Sequence, residues 1–158
     1  MNLGYLNNIK YKGFNFHTHF QAHVGGDVYN NTRQRLYQHF RHGDVDQTGK
    51  AEQLKKPISY YTAVYNRNDN TKAFVEDGSY LKLRELAVIY KLPQDLLGRV
   101  GLGNVAPNGI SLGLIGRNIW TLTGYSGYDP EVGSPANRYD SFTYPPTRTL
   151  TGSVEITF

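Results

Sequence analysis

The feature that most constrains the fold is a strict alternation of apolar and polar residues in several long segments. In the C-terminal segment TLTGSVEITF, the residues of one parity are all apolar or glycine: Leu150, Gly152, Val154, Ile156 and Phe158. Threonine, serine and glutamate occupy the other parity. Successive side chains of a β-strand point to opposite faces, so this pattern predicts a strand with one apolar and one polar face.

The same alternation predicts four further strands. A hairpin is expected over residues 2–24, with a tight turn at Lys12-Gly13. The third strand is expected over residues 79–91, where the parity of the leucines changes near Arg84-Glu85. A β-bulge at that point would return all of them to one face. The fourth and fifth strands are expected over residues 110–122 and about 147–158.

Two long polar segments, residues 25–77 and 124–146, separate these strands. Their many turn-forming residues predict mainly local structure. Within the first, the pattern predicts a short helix over residues 31–40 with Thr32 as a possible N-cap, and a brief strand over residues 58–65. A helical turn is also expected to begin at Pro93, which follows the third strand.

Composition excludes several functional classes. The 158 residues include no cysteine, which excludes thiol catalysis, disulfides and thiolate metal sites. The formal net charge is +4, but the basic residues are scattered, so no nucleic-acid partner is expected. No apolar stretch approaches the roughly 18 residues that a membrane helix needs.

Long two-faced strands occur in two settings. One is a soluble β-sandwich or barrel, and the other is a transmembrane barrel, whose strands of about ten residues cross the lipid at a tilt. Ordinary soluble strands are shorter, at about 5–6 residues. Aromatic residues also lie near the predicted strand ends, as in the aromatic girdles of membrane barrels: Tyr11, Phe14, Trp120, Tyr125 and Phe158. The pattern therefore favours the membrane barrel and leaves a soluble sheet as the alternative.

The predicted fold class is all-β, an antiparallel up-and-down transmembrane β-barrel segment with two long extracellular loops. About five long strands cannot close such a barrel, so residues 1–158 are expected to be part of a larger one, with no separate domain. The apolar face would meet lipid, and the polar face would line a wet lumen. The residues expected to face that lumen are His17, His19, His23 and Arg117.

Three segments carry a resemblance to a known family. DGSYLKLRELAVIYKLPQDLL, GRNIWTLTGYSGYDPEV and YPPTRTLTGSVEITF resemble, in this order, the C-terminal end of the SusC/RagA family. YKGFNFHTHFQAHVGGDVYN is similar to the preceding hairpin of the same family. Its members are TonB-dependent outer-membrane transporters of Bacteroidetes-type bacteria, which form plugged barrels of roughly 22 strands.

The resemblance implies a function and a set of partners. Members of the family import glycans or peptides, usually with a SusD-like surface lipoprotein and with energy relayed by TonB. The expected location is the outer membrane of a Gram-negative bacterium, with outer-membrane lipid around the barrel. Phe158 matches the terminal aromatic residue that the barrel-assembly machinery recognises. Because a signal peptide, a plug domain and a TonB box are not found, the chain is expected to be either a C-terminal fragment of a larger transporter or a truncated gene product. TonB would act through the missing N-terminal part.

The loop sequence GYSGYDPEV supplies the candidate residues that face substrate or partner: Tyr125, Tyr128, Asp129 and Glu131. The two tyrosines have the amphipathic rings that suit stacking on sugars, although loop packing would explain them as well. Pro130 fixes a turn in which Asp129 is expected to accept from backbone amides. Two carboxylates of one loop do not establish a glycosidase pair, so no catalytic residue and no enzyme activity are expected.

Metal and cofactor sites are not expected. The histidines at 17, 19 and 23 share a strand face and are a conceivable zinc or nickel site, but hydrated side chains on a lumen wall explain them equally. Asp44, Asp46 and Thr48 resemble a calcium loop whose glycine and closing glutamate are misplaced. The alternative function is a small soluble β-sheet protein that binds carbohydrate through its tyrosine-rich loops.

Overall fold

The computed structural model describes residues 1–66, 68, 72–102, 106–134 and 136–157. The chain divides into two compact units. The first, here called the sheet unit, comprises Met1–Val24, Tyr80–Leu122 and Pro146–Phe158. The second, here called the loop unit, comprises Gly25–Ser79 and Thr123–Pro145, which are essentially the two long polar segments.

Strands dominate the structure, and short helices occupy the connections. The elements in chain order are β1 (Asn2–Tyr11), β2 (Phe14–His23), β3 (Asp27–Asn30), α1 (Asn31–Gln38), α2 (Ile58–Val64), β4 (Val75–Asp77), β5 (Tyr80–Lys91), α3 (Gln94–Arg99), β6 (Gly109–Thr123), β7 (Tyr139–Asp140) and β8 (Thr149–Thr157). Single turns of 3-10 helix lie at Gly43–Val45, Glu52–Leu54 and Lys72–Phe74.

The sheet unit is a five-stranded sheet in the order β1-β2-β5-β6-β8, and its strands are the five that the alternation predicts. The β1–β2 hairpin is antiparallel and closes at Lys12-Gly13, with Tyr11 opposite Phe14. Both turn residues have positive φ, 44° for Lys12 and 85° for Gly13. That geometry matches the right-handed twist of the flanking strands, so the predicted tight turn is confirmed.

The predicted β-bulge is present in β5. His19 of β2 lies opposite Glu85, but the next residue, Phe20, lies opposite Leu83, so Arg84 is the extra residue. The skipped residue changes the parity of β5 once. All the leucine and valine side chains of the strand consequently share the face of the β2 phenylalanines, as the sequence predicts.

The same face continues across β6 and β8. Leu112 lies opposite Val154, and further pairs of the same parity join Ile110 to Ile156 and Gly116 to Leu150. The side chains on this face remain exposed, with exposed fractions of 68% for Val154 and 76% for Leu150. The sheet unit therefore presents an apolar surface that nothing in the described chain covers.

The loop unit contradicts the prediction that the polar segments hold only local structure. Three short strands form a second sheet in the order β4-β3-β7. β3 pairs antiparallel with β4 of the first segment and parallel with β7 of the second, where Tyr29 lies opposite Tyr139. These two tyrosine rings also stack, with centroids 5.3 Å apart. Strands of two to four residues are too short to show an alternating pattern, so the sequence does not reveal that these distant segments pair.

Two local predictions in the loop unit are wrong in detail. The N-cap of α1 is Asn30, whose side chain accepts from the backbone N–H of Arg33, whereas Thr32 lies inside the helix. Residues expected to form a brief strand form the helix α2 instead. The helix is favoured because Tyr61 then joins Tyr37 and Phe74 in a buried aromatic cluster.

The helices of the structure are short. The one that follows Pro93 is confirmed as α3, with Pro93 as its N-cap residue. In the ranges that the structure describes, none of the helices has the length and apolarity needed to cross a membrane.

Candidate functional site

The GYDPEV segment forms a tight turn in the loop unit, and its aromatic ring is exposed to solvent. The Oδ1 atom of Asp129 accepts from the backbone N–H of Glu131 at 2.7 Å, which confirms the predicted turn. Asp129 and Pro130 are buried, while Glu131 is exposed. Tyr128 is 81% exposed, so its ring is available to a binding partner.

Tyr125 has a different position from Tyr128. Its ring is buried, and its hydroxyl donates to Oδ2 of Asp140 at 2.6 Å. Thr32 donates to the other carboxylate oxygen of Asp140 at 2.8 Å, and its own oxygen accepts from the N–H of Phe142. Burial raises the pKa of Tyr125, and the hydrogen bond to Asp140 raises it further. Tyr125 thus holds the turn in place by its buried hydrogen bond, and its ring is not available to stack on a sugar.

Glu76 of β4 is the hydrogen-bond centre of the site. Its carboxylate accepts from the N–H and the hydroxyl of Ser126, at 2.7 and 2.8 Å. Arg33 Nη1 and Asn30 Nδ2 each donate to Oε1 at 3.1 Å. Burial by itself would raise the pKa of Glu76, but these donors stabilise the charged form and hold the pKa below its ordinary value.

The donors to this carboxylate, Asn30, Arg33 and Ser126, line a cavity of about 380 Å³ that belongs wholly to the loop unit. The first turn of α1 supplies one wall, and the turn that carries Tyr128 supplies another. Polar, aliphatic and aromatic side chains all reach it: Asn30, Arg33, Leu36, His42, Ser126 and Tyr128. A mixed lining of this kind is typical of a small-molecule site, where apolar surface gives affinity and a few polar groups give orientation.

His42 is held at the cavity by the aromatic cluster. Its ring stacks on Tyr37 with centroids 4.1 Å apart, and its Nδ1 lies 3.4 Å from a carboxylate oxygen of Asp44. The Tyr37 hydroxyl donates a hydrogen bond to that carboxylate, which lowers the pKa of Asp44. Burial, followed by this bond, raises the pKa of Tyr37 to about 12. Arg33 lies over the same ring, with the guanidinium carbon 5.7 Å from the centroid.

The predicted lumen-facing residues lie on the polar face of the sheet unit. His17 and His23 contact asparagines of β1, with Nδ1-to-Oδ1 distances of 2.9 Å to Asn8 and 2.5 Å to Asn2. His19 lies opposite Glu85, on the same polar face. That this face lines a lumen stays a prediction.

Glu85 connects two of these predicted residues. It accepts from Arg117 Nε at 2.9 Å, and one of its oxygens lies 3.8 Å from His17 Nε2. Across the part of the chain that the structure describes, no group of three or more histidine, aspartate or glutamate side chains could hold a metal ion.

The calcium-like loop has a different chemistry from a cation site. The ammonium of Lys50 donates to the backbone oxygen of Asp44 at 2.5 Å, so a positive charge already binds one oxygen of this loop. Asp46 accepts from the N–H of Thr48 at 2.9 Å. The loop is therefore closed by its own lysine and its own backbone.

Phe158, the predicted assembly signal, lies outside the described residues. The sequence pattern does not single out the residues that line the cavity beside Tyr128 or bond to its neighbours: Asn30, Arg33 and Glu76. Their signal is weak, since each is a single polar residue in a polar segment, and only the capping position of Asn30 before a helix is recognisable.

Comparison with known proteins places the chain beside one class of receptor. No family model matches it. It is 29% identical over 165 residues to TonB-dependent receptor P3 of Formosa agariphila and 26% identical over 170 residues to TonB-dependent receptor P26 of the same organism. These alignments cover 99% and 98% of this chain, but only 16% of each relative. The chain thus spans about a sixth of the length of the curated relatives that it matches.

Solved structures give the same fold. The structure of the RagAB peptide importer in the open-open state matches with a TM-score of 0.65 and 23% identity, over 99% of this chain and 17% of that one. The closed-closed state matches with a TM-score of 0.66. The predicted resemblance to SusC/RagA-type TonB-dependent receptors is confirmed over nearly the whole chain. The relatives are receptors and a transporter.

Proposed function

We propose that this chain, which resembles part of a SusC/RagA-type TonB-dependent receptor, is the C-terminal barrel portion of an outer-membrane transporter. The whole transporter imports glycans or peptides together with a SusD-like surface lipoprotein, using energy from TonB, in a Gram-negative bacterium of the Bacteroidetes type. Residues 1–158 supply strands of the barrel wall and two extracellular segments, and they catalyse no reaction.

The observation that carries the proposal is the apolar face of the sheet unit. Long aliphatic and aromatic side chains project from its strands and remain exposed, with exposed fractions of 59% for Tyr5, 58% for Leu114 and 68% for Val154. Water-soluble monomers rarely expose a contiguous apolar surface of this extent. Lipid around the barrel would cover it, because membrane barrels point their apolar side chains outward.

The opposite face supports a hydrated lumen. It carries histidines, asparagines and the Arg117–Glu85 ion pair, which are costly in lipid and stable beside water. The loop unit would then lie on the extracellular side, where substrate and the lipoprotein meet the transporter. Its cavity and the exposed Tyr128 are consistent with that role.

The alternative, a small soluble carbohydrate-binding protein, would share the tyrosine-rich loop unit. It gives no account of the apolar face, which would be left in water at considerable cost. A requirement for detergent distinguishes the two, since the soluble protein needs none.

Lysine substitutions on the two faces of β8 test the proposal. In the complete transporter, Val154→Lys is expected to destabilise the barrel by roughly 2–4 kcal/mol if this position lies near the lipid midplane. Ser153→Lys, one residue away on the other face, is the matched control and should cost little. The measurement is unfolding in urea of barrels assembled in lipid vesicles, together with the amount of each variant in outer membranes.

Equal effects of the two lysines would contradict the assignment of one face to lipid and the other to a lumen. Recovery of the wild-type protein in the soluble fraction, without detergent, would favour the soluble alternative.

A further inference from the structure

The cavity of the loop unit combines an exposed aromatic ring with polar groups that project beside it. Tyr128 forms one side and is 81% exposed. Ser126 and the Arg33 side chain, which is 33% exposed, lie on the same cavity. Leu36 adds an aliphatic surface. The cavity therefore matches a ligand that has both an apolar face and a hydrogen-bonding edge.

The charges at the cavity indicate that the ligand is neutral. The guanidinium of Arg33 lies 3.1 Å from the Glu76 carboxylate, so its charge already faces an opposite charge. Nδ1 of His42 accepts from the backbone N–H of Asp44 at 3.2 Å, so this nitrogen is not a donor to the ligand. An anionic ligand that approached Arg33 would also be repelled by Glu76, and a cationic ligand would compete with Arg33 for Glu76.

The hydrogen-bonding groups retain capacity for a polyhydroxylated ligand. A guanidinium has five N–H donors, and the contact of Arg33 with Glu76 uses Nη1. The Ser126 hydroxyl donates to Glu76, and its oxygen also accepts from Asn30 at 3.3 Å, which fixes the group in place. Sugar hydroxyls both donate and accept, so they can bond to such groups while the C–H face of the ring covers an aromatic side chain.

From this geometry we propose that the cavity is a subsite for one neutral sugar ring of a glycan, stacked on Tyr128 and hydrogen-bonded by Arg33 and Ser126. The inference rests on the proposed function, because it assigns the glycan to the transporter's extracellular side. It narrows the substrate class from glycans or peptides to neutral glycans at this site. Tyr125 is excluded from the stacking because it is buried.

The experiment uses the complete transporter, purified in detergent, and calorimetric titration with four neutral probes: maltohexaose, cellohexaose, laminarihexaose and xylohexaose. At least one is expected to bind. Tyr128→Ala should weaken that binding roughly three- to tenfold, whereas Tyr128→Phe, which keeps the ring, should retain it. Tyr144→Ala is the matched control, since Tyr144 is 84% exposed and is not part of the cavity lining.

A second readout follows the two tyrosines directly. The bound hexasaccharide should protect Tyr128 from acetylation by N-acetylimidazole and leave Tyr144 reactive. Equal affinity of Tyr128→Ala and Tyr144→Ala for a bound glycan would overturn the subsite while the transport function stands. Binding of none of the four probes, or Tyr128-dependent binding of a peptide pool alone, would overturn the sugar assignment. Failure of the barrel assembly test on β8 would instead overturn the proposed function itself.

Discussion

At the scale of single residues, one carboxylate connects the two halves of the loop unit. Glu76 lies in the first polar segment, and its strongest donors, the N–H and hydroxyl of Ser126, lie in the second. Its side chain is only 13% exposed, so water can replace few of these bonds. The ionised form of Glu76 is therefore part of the native structure of the loop unit.

Glu76→Gln tests this role. The substitution should destabilise the loop unit by about 1–3 kcal/mol, because the charged acceptor is lost from a buried site. The pKa of Glu76 is lowered on folding, so its contribution is present above the unfolded pKa of about 4.5 and is lost as pH falls through the folded value. Hydrogen exchange of the Ser126 amide, corrected for the intrinsic rate, measures both effects in the complete transporter.

A surface carboxylate provides the control for this prediction. Glu52 pairs with Lys55 at 2.7 Å, but its side chain is 85% exposed. Glu52→Gln should change stability by less than about 0.5 kcal/mol. If both glutamines had the same small effect, or if exchange at Ser126 did not accelerate at low pH, the role of Glu76 would be contradicted.

Residue-scale chemistry was only partly predictable. The turn made by Asp129 follows from local chemistry and is confirmed by its bond to the Glu131 amide. The burial of Tyr125 and the partnership of Glu76 with Ser126 depend on contacts 15 and 50 residues away. Sequence alone does not bring such partners together, so it presented Tyr125 and Tyr128 as equivalent.

At the scale of elements, the bulge in β5 determines which face each half of the strand presents. Deleting Arg84 removes the extra residue and should force either Leu81 and Leu83 or the later apolar residues onto the polar face. We expect a strong loss of assembled transporter in outer membranes. Arg84→Ala keeps the bulge but loses side-chain hydrogen bonds, among them those from Nε to Gln21 at 2.6 Å and from Nη1 to Asn118 at 3.4 Å. Because the register of the strand is retained, the loss of assembled protein should be mild.

The test compares the Arg84 deletion with Arg84→Ala. The fraction of assembled barrel in each variant is measured from the heat-dependent shift in its mobility on gels. If the deletion assembled as well as the alanine variant, the bulge would not be what holds the register of β5.

The sequence predicted the strands correctly where they are long and have one apolar and one polar face. The alternation in β2 and the parity change at Arg84 were enough to place the hairpin and the bulge. It failed for α2, where isoleucine, tyrosine and threonine favour a strand by propensity. The four-residue spacing of Tyr61 and Tyr65 was the available helical signal, and packing against Tyr37 decided the outcome.

At the scale of the whole molecule, the terminal residue carries the remaining prediction. Removing Phe158 from the complete transporter should reduce its amount in the outer membrane while the transcript level stays unchanged, if the barrel-assembly machinery reads this residue. Quantitative immunoblotting of membrane fractions measures the effect. Phe158→Tyr keeps an aromatic terminus and serves as the control. Normal surface levels of the deletion would contradict the signal.

The parallel pairing of β3 with β7 has a consequence for engineering. Asn30 and Asp140 lie opposite each other in that pair, so the strand pairing joins the two long polar segments. A sequence alignment would treat these segments as independent insertions. If one polar segment alone were grafted into another receptor, it would lose its partner strand and the Thr32–Asp140 hydrogen bond. Chimeras designed to exchange ligand preference should therefore transfer both polar segments together. Peptide tags should be inserted at positions that leave the β3–β7 pairing intact.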